Sequence, residues 1–585
     1  MTGPSTPGNP IATARSTRGL RQFPHWRLSI AFALIFAIMW FGGLELRGLF
    51  IPDEGRYAEI PREMLATGDW VTPRLNDLKY FEKPPLQYWT TAVIFKIFGE
   101  DEWTARLWSA LTGFLAALAL VGTVARLHSA RAGWLAGLML ASSWGYFLAG
   151  QYVTLDMGLT CFLTCALCTF LLAQQDHVTP TKTHLYMLAT WTALGLAVLS
   201  KGPIALILPG LAVAGYTLVT RSTTILRRLY PLTGLPLLLI IVAPWFIAVQ
   251  IRNPEFFHFF FVHEHLERFS TAEHQRLGPW WYFIPIGLLG MMPWTPAVLA
   301  AITRAGKRAW IMPAGTFDTE KFLLVWIAVI FLFFSVSQSK LPAYVLPAFP
   351  ALAWLATLTL MEQKRHLLAY SAAALAAAGA VFLIALGTLP YWENALPPAF
   401  QAQEVFYWLR WAAVALLAGS IPIWWLNRQK HLLGAMATAA IVSLTFWHLM
   451  FAILYEIDET YSSEQLIEHL AGDQRAFLPD IPFYSIDMFD HSVPFYLKRP
   501  ITLVEYKGEL APGIAAEPEK YIKSLAAFKQ RWADDTQAFA IMSPATYQSL
   551  RDAQLPMLVV GRDVKRVIVA RRPFTPEPVD STTVR

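Results

Sequence analysis

Asp53 and Glu54 stand side by side, and Arg56 and Tyr57 follow at once. Tyr80, Glu82 and Lys83 close the same polar stretch, Ile51 to Trp89, ahead of Pro84 and Pro85. Polar groups this dense, set beside apolar sequence, suit chemistry at a membrane surface. A carboxylate such as Asp53 can orient a sugar through its hydroxyls or take a proton as general base. An Asp-Glu pair can equally cap a helix or face solvent. Lys83 lies in EKPPL, where two prolines fix the backbone and hold the cation in place. It reads as a phosphate ligand, or as a lysine whose stem lies along a membrane border. Glu54, Arg56, Tyr57 and Tyr80 stand with it as substrate-binding candidates.

More distant positions carry the same kinds of group. Asp156 occupies a very short connector between two apolar runs, a costly place for an acid unless it is paired or working. With Asp53 it is the second catalytic candidate. Lys201 and Lys340 each follow a serine at the end of an apolar run, as a second cationic patch or as plain anchors. Arg268, in HEHLERF, offers the planar fork that grips phosphate oxygens in pairs. Tyr344, in SKLPAYVLP, either faces the same cavity or sits as an interfacial aromatic. His263 and His265 flank Glu264, and alternate residues of an extended loop point to one side. Glu82 with His263 is therefore a candidate site for a structural divalent ion such as zinc. A hydrogen-bonded structural histidine is the other reading.

Composition says what must position these groups. The 585 residues are 55% hydrophobic and 15% charged, with 23 Trp and 38 Phe, and the mean hydropathy is +0.40. An ordinary soluble protein carries about 25% charged residues. The chain reads as a polytopic α-helical membrane protein, and its net charge of +6 sets topology rather than binding nucleic acid. Cys161, Cys165 and Cys168 fall near one face of one apolar helix and read as packing residues. Apolar runs of spanning length, about 17–25 residues, recur about thirteen times. They lie near 28–48, 104–125, 132–150, 157–173, 185–200, 203–220, 231–250, 281–302, 322–338, 342–361, 367–388, 406–427 and 432–453.

Every second connector is basic. Arg15, Arg18, Arg21 and Arg27 precede the first run, and Arg126 and Arg131 follow the second. Lys182, then Arg221, Arg227 and Arg228, then Arg304, Lys307 and Arg308, then Lys364 and Arg365, then Arg428 and Lys430 continue the series. The positive-inside rule then makes residues 1–27 a disordered cytoplasmic tail, with the first run retained as a helix. The alternate connectors, 49–103, 151–156, 200–202, 251–280, 339–341 and 389–405, share the outer face. They carry every acid and cation singled out above. Residues 28–454 form the membrane domain. Residues 455–585 are soluble in composition and read as a small α/β domain on the outer face with nothing catalytic in it. PMLVVG and KRVIVARR read as strands, and PEKYIKSLAAFKQRWADD as one amphipathic helix. The carboxylates avoid the centres of the runs, whereas a flippase or transporter needs ionisable groups near mid-bilayer.

PDEGRYAEIPREM and FEKPPLQYW, followed in order by TLDMGLT, SKGPIAL, HEHLERF and SKLPAYVLPAFPAL, resemble the GT-C membrane glycosyltransferases. The nearer resemblance is to the lipid A aminoarabinose transferases, and the protein O-mannosyltransferases are more distant. It covers roughly residues 28–360 and is weak over the tail. It implies a GT-C fold and transfer of 4-amino-4-deoxy-L-arabinose from undecaprenyl phosphate to lipid A phosphates, with inversion. A less anionic surface resistant to polymyxin and cationic peptides would follow. The implied setting is the bacterial inner membrane with a periplasmic site, a monomeric chain and no obligatory cofactor. In this reading Lys83 and Arg268 stabilise the leaving phosphate, and Asp53 and Asp156 face the amino sugar. A hexose or mannose passed to a Ser or Thr hydroxyl would instead require Asp53 as base.

Overall fold

The computed structural model describes residues 26–267, 278–307, 316–362, 366–389, 396, 400, 402–472, 474–506 and 508–571, with the side chains of 26–33, 263 and 265–267 outside that description. The basic tail, Arg268, Arg308, Lys364, Arg365 and most of the 389–405 connector also fall outside it.

Every expected apolar run is helical. Among the described residues nine helices are long and apolar enough to cross a membrane, or ten with one bent pair counted as a span. The first run ends early: α1 (Trp26–Phe41) stops at Gly42-Gly43, where two glycines lower the cost of leaving the helix. Arg47, beyond its end, is buried inside the protein. α2 (Asp53–Thr67) and α3 (Leu86–Phe98) belong to the first connector, and α4 (Glu102–Leu127) is the second run. The third run breaks at Ser143 into α5 (Ala130–Ser142) and α6 (Trp144–Gly150). α7 (Leu155–Ala173) and α8 (Pro180–Lys201) follow. The 281–302 run is two helices, Phe283–Gly290 and Thr295–Gly306, bent by 117° around MMPW. Proline cannot donate the hydrogen bond needed there to continue the first helix.

α7 packs between α4 and α8 and is buried along most of its length. Cys161 and Cys168 are buried within it and Cys165 partly so, all as free thiols. α2 is amphipathic in composition yet buried from Glu54 to Met64, because membrane helices cover one side and the C-terminal domain the other. Strands β1 (Arg74–Leu75) and β2 (Leu78–Lys79) form a hairpin. Asn76 and Asp77 make its turn at φ of 57° and 59°, the left-handed pair such a turn requires.

The tail carries a six-stranded mixed sheet in the order β5-β4-β3-β6-β8-β7. β3 (Phe483–Ile486) pairs in parallel with β4 (Thr502–Val504) and β6 (Ala538–Met542), and β5 (Tyr521–Ile522) extends the parallel edge. β7 (Leu558–Arg562) and β8 (Val567–Arg571) run antiparallel, at the two segments expected to be strands. The expected single helix over 518–535 is corrected. Residues Pro518–Lys520 form a 3-10 turn, Tyr521–Ile522 join the sheet, and only Leu525–Asp534 is α-helix. Ser524 sets its start by accepting from the Ala527 N–H at 3.2 Å, a side-chain cap of the usual kind. Sheet pairing outweighs helix propensity before that cap.

The domain is tied to the hairpin of the first connector, and internally by Arg566. The Asn76 side chain donates to the Ile501 carbonyl and accepts from its N–H, both at 2.8 Å. Arg74 pairs with Glu517 at 3.0 Å. Arg566 pairs with Asp490 at 2.6 Å and donates to the carbonyls of Glu459 and Ser462 at 2.5 Å.

Candidate functional site

Glu54 anchors the start of α2. Its carboxylate is fully buried. Oε1 accepts from Arg106 Nε at 3.0 Å, from Arg47 Nη2 at 3.1 Å and from the Val153 N–H at 3.1 Å. Oε2 accepts from Arg106 Nη2 at 3.0 Å and from the Phe50 N–H at 3.1 Å, and pairs closely with Arg47 Nη1. Arg106 also donates to the carbonyls of Leu44, Arg47 and Gly48. One carboxylate thus ties together the end of α1, the starts of α2 and α4, and the 151–153 connector. Burial alone would raise its pKa, but the Arg106 and Arg47 guanidiniums outweigh that and hold it at about 2. Glu54 is expected above to bind substrate; its lone pairs are instead spent inside the protein, and its work is to fix the backbone beside Asp53.

Asp53, one residue earlier, is the first residue of α2, and its side chain is about one-third exposed. Arg56 lies one turn on and is buried. Its Nη1 faces Asp53 at 3.7 Å and Glu82 at 4.0 Å, and its Nη2 pairs with Glu509 at 2.8 Å. The Arg56 guanidinium stands over the Tyr57 ring at 5.5 Å, and Tyr57 lies 6.3 Å from Tyr88 between ring centroids. Burial pushes the phenols of Tyr57 and Tyr80 up, so both stay neutral donors. Tyr80 Oη, Tyr88 Oη and Arg56 Nε are buried polar atoms without a hydrogen-bond partner among the described residues. Such groups are costly in an apolar setting, and a polar ligand in their midst would satisfy them.

Lys83 follows β2 in the loop before α3. Its ammonium lies 3.1 Å from Glu264 and 3.8 Å from Glu82, which brings the 251–280 connector against the first. Glu82, an expected metal ligand, thus faces two cations, Arg56 and Lys83; its expected co-ligand His263 lies in a π-helix, His258–Glu267, rather than the expected extended loop, with its side chain outside the described residues. Asp156, at the start of α7, pairs closely with Lys201 at the end of α8, and the Lys201 ammonium stands 5.0 Å from the Tyr344 ring centre. Lys340 is different. Its ammonium donates to the carbonyls of Ser335 and Ser337 at the end of the Thr319–Val336 helix, which is the anchoring alternative. The two lysines of the expected second cationic patch thus have different partners: Lys201 is paired with Asp156, and Lys340 is hydrogen-bonded to helix-end carbonyls.

The structure therefore brings Asp53, Arg56, Tyr57, Tyr80, Glu82 and Lys83 into one cluster. Asp156, Lys201 and Tyr344 form a second, joined to the first through the Glu54–Val153 contact. Beside the first cluster a cavity of about 640 Å³ is lined by Tyr80, His258 and Phe259 from the membrane domain and by Glu509 and Gly513 from the C-terminal domain. Sequence reading misses Arg47, Arg106, Tyr88 and Glu509. Arg106 leaves a signal, since a charge inside an apolar run needs a partner. Glu509 leaves none, because only the fold brings it from the far end of the chain.

Residues 471–571 match the family described as aminoarabinose transferase C-terminal domain. Residues 26–260 match the family described as dolichyl-phosphate-mannose-protein mannosyltransferase. The chain is similar to the undecaprenyl phosphate-alpha-4-amino-4-deoxy-L-arabinose arabinosyl transferase of Aeromonas salmonicida, 36% identical over 331 residues, or 56% of this chain and 58% of that one. The matched stretch thus spans little more than half of that relative's length. The Shewanella sediminis transferase of the same name is 28% identical over 502 residues, covering 84% of this chain and 89% of that one. The crystal structure of ArnT from Cupriavidus metallidurans bound to undecaprenyl phosphate superposes with a TM-score of 0.87 at 34% identity, covering 94% of this chain and all of that one.

Proposed function

This chain belongs to the aminoarabinose transferase family, a family of multi-pass membrane proteins of the GT-C fold, and on that premise we propose that it moves 4-amino-4-deoxy-L-arabinose from undecaprenyl phosphate to the phosphate groups of lipid A. One observation carries the reading: Asp53, about one-third exposed, faces Arg56, and Arg56 and Lys83 converge on Glu82, in a fold that superposes on that of ArnT bound to undecaprenyl phosphate.

The bond from the anomeric carbon to the donor phosphate oxygen breaks, and its electron pair leaves with undecaprenyl phosphate. A lipid A phosphate oxygen forms the new bond on the opposite face, with inversion. Phosphate is ionised near neutral pH, its second pKa being about 6, so no general base is required. Lys83 stabilises the charge growing on the leaving phosphate, helped by Arg268. The donor phosphate competes with Glu264 for the Lys83 ammonium. Asp53 faces the positive charge at the anomeric carbon or on the sugar ammonium, and Asp156 does so from the Lys201 side. Fixed cations meet the demands of the leaving group, so a divalent ion at Glu82 and His263 would be structural. In this reading the chain is a monomer of the bacterial inner membrane. Residues 1–27 are cytoplasmic, 28–454 form the membrane domain, and 455–585 are periplasmic. The product is a less anionic surface that binds polymyxin and other cationic peptides less well.

The match of residues 26–260 to the mannosyltransferase family favours one other reading, sugar transfer to a Ser or Thr hydroxyl with Asp53 as base. Mass spectra of lipid A from a host lacking such a transferase, with and without this chain, decide between them. Aminoarabinose on lipid A only when the chain is present is the expected result. Unmodified lipid A beside glycosylated protein would overturn the first reading in favour of the second.

A further inference from the structure

The C-terminal domain reaches the active cluster through Glu509. Glu509 Oε2 lies 2.8 Å from Arg56 Nη2, and Glu509 Oε1 lies 2.6 Å from His491 Nε2. The backbone around these residues meets α2 directly. A Cβ placed on Gly55 would lie 2.7 Å from the His491 carbonyl carbon and the Ser492 nitrogen, so only glycine allows α2 this close. Glu509 also lines the cavity that Tyr80 lines from the membrane side. The guanidinium of Arg56 is planar and presents its donors in a fixed fork. Holding Nη2 from one side sets where Nη1 stands between Asp53 and Glu82.

We propose that Glu509 is a positioning residue of the transfer reaction: the C-terminal domain supplies the carboxylate that orients Arg56, and so completes the catalytic cluster from outside the membrane. The inference rests on the transferase function proposed above. Docking of the two domains does not depend on this pair. Asn76 with Ile501, Arg74 with Glu517, and Arg62 with the Lys498 carbonyl at 3.0 Å hold the same interface without it. Glu509 stands apart from these contacts because its partner faces Asp53 and Glu82. A misplacement of about 1 Å at such a group can cost about 100-fold in rate.

The test uses the full-length protein in lipid vesicles with an undecaprenyl-phosphate aminoarabinose donor and lipid A. Glu509→Gln is expected to lower kcat about 10- to 100-fold, with donor KM within about twofold and Tm unchanged. Glu509→Asp keeps the charge but is one methylene shorter, and is expected to lower kcat as well. Arg56→Lys is expected to lose at least as much as Glu509→Gln, and Glu509→Gln combined with Arg56→Lys no more than Arg56→Lys alone, because one residue acts through the other. Wild-type kcat in folded Glu509→Gln or Glu509→Asp, or losses that multiply in the double variant, would overturn the positioning role. So would a loss of activity that follows a fall in Tm. A wild-type protein without transfer would instead remove the function itself, and the inference with it.

Discussion

Lys83→Met is expected to lower kcat for sugar transfer by about 10²–10³-fold while the protein accumulates normally in membranes. The substitution keeps most of the side chain's length and apolar stem and removes only the cation. In the resting site that cation lies between Glu264 and Glu82. In the proposed mechanism it meets charge on the departing phosphate, in a setting where dielectric is reduced and each charge counts for more. The loss falls on kcat more than on donor KM, because phosphate charge grows as the bond breaks. Lys83→Arg retains the charge, yet its fork does not reproduce the geometry of an ammonium, so partial activity is expected. Steady-state kinetics with defined donor and acceptor measure both. Wild-type kcat in Lys83→Met would remove Lys83 from the mechanism.

The second large effect falls on folding rather than on chemistry. Glu54→Ala leaves the buried guanidiniums of Arg106 and Arg47 without their shared carboxylate, and removing one partner from a buried ion pair costs about 3–5 kcal/mol. The expected outcome is a clear drop in Tm in detergent and less protein in the membrane. Asp53→Asn, one residue earlier, should abolish transfer with Tm preserved. The same carboxylate carries a pH signature. Its pKa falls from an ordinary 4.5 to about 2 in the folded protein, a shift equivalent to about 3 kcal/mol. A group whose folded pKa is depressed lends its stability in full above the unfolded value and loses it as pH falls through the folded one. This contribution is therefore complete above about pH 4.5 and fades between there and about pH 2. In Glu54→Gln that part of the acid sensitivity should vanish, as thermal unfolding across the range would show. An unchanged Tm in Glu54→Ala would mean the clamp does not hold α2.

These two residues show what the sequence makes legible. The apolar runs announce themselves because hydrocarbon demands continuous apolar length, and each of them is helical. Their ends are less legible. α1 stops at Gly42-Gly43, short of the expected 48, because backbone freedom there outweighs residue polarity. The polar stretch from Ile51 is legible as a site by its density of charge. The division of labour within it is not: Asp53 and Glu54 look alike in sequence, and one is partly exposed while the other is swallowed by two arginines, Arg106 from α4 and Arg47 from the segment after α1. Lys340 and Lys201 share a Ser-Lys setting, and one caps helix-end carbonyls while the other meets Asp156. Partner choice of this kind belongs to tertiary packing. Glu509 is the extreme case, an ordinary acid in a soluble tail until the sheet domain docks on α2.

On the proposed function, connectors from across the chain build one site that acts on a lipid-linked sugar phosphate. The most direct test is single-turnover transfer by the purified protein in vesicles that hold only the synthetic donor and lipid A. Wild type should convert both into aminoarabinose-modified lipid A and free undecaprenyl phosphate in equal amounts, and Asp53→Asn should convert neither. Intact donor with wild type, or equal conversion by Asp53→Asn, would contradict it.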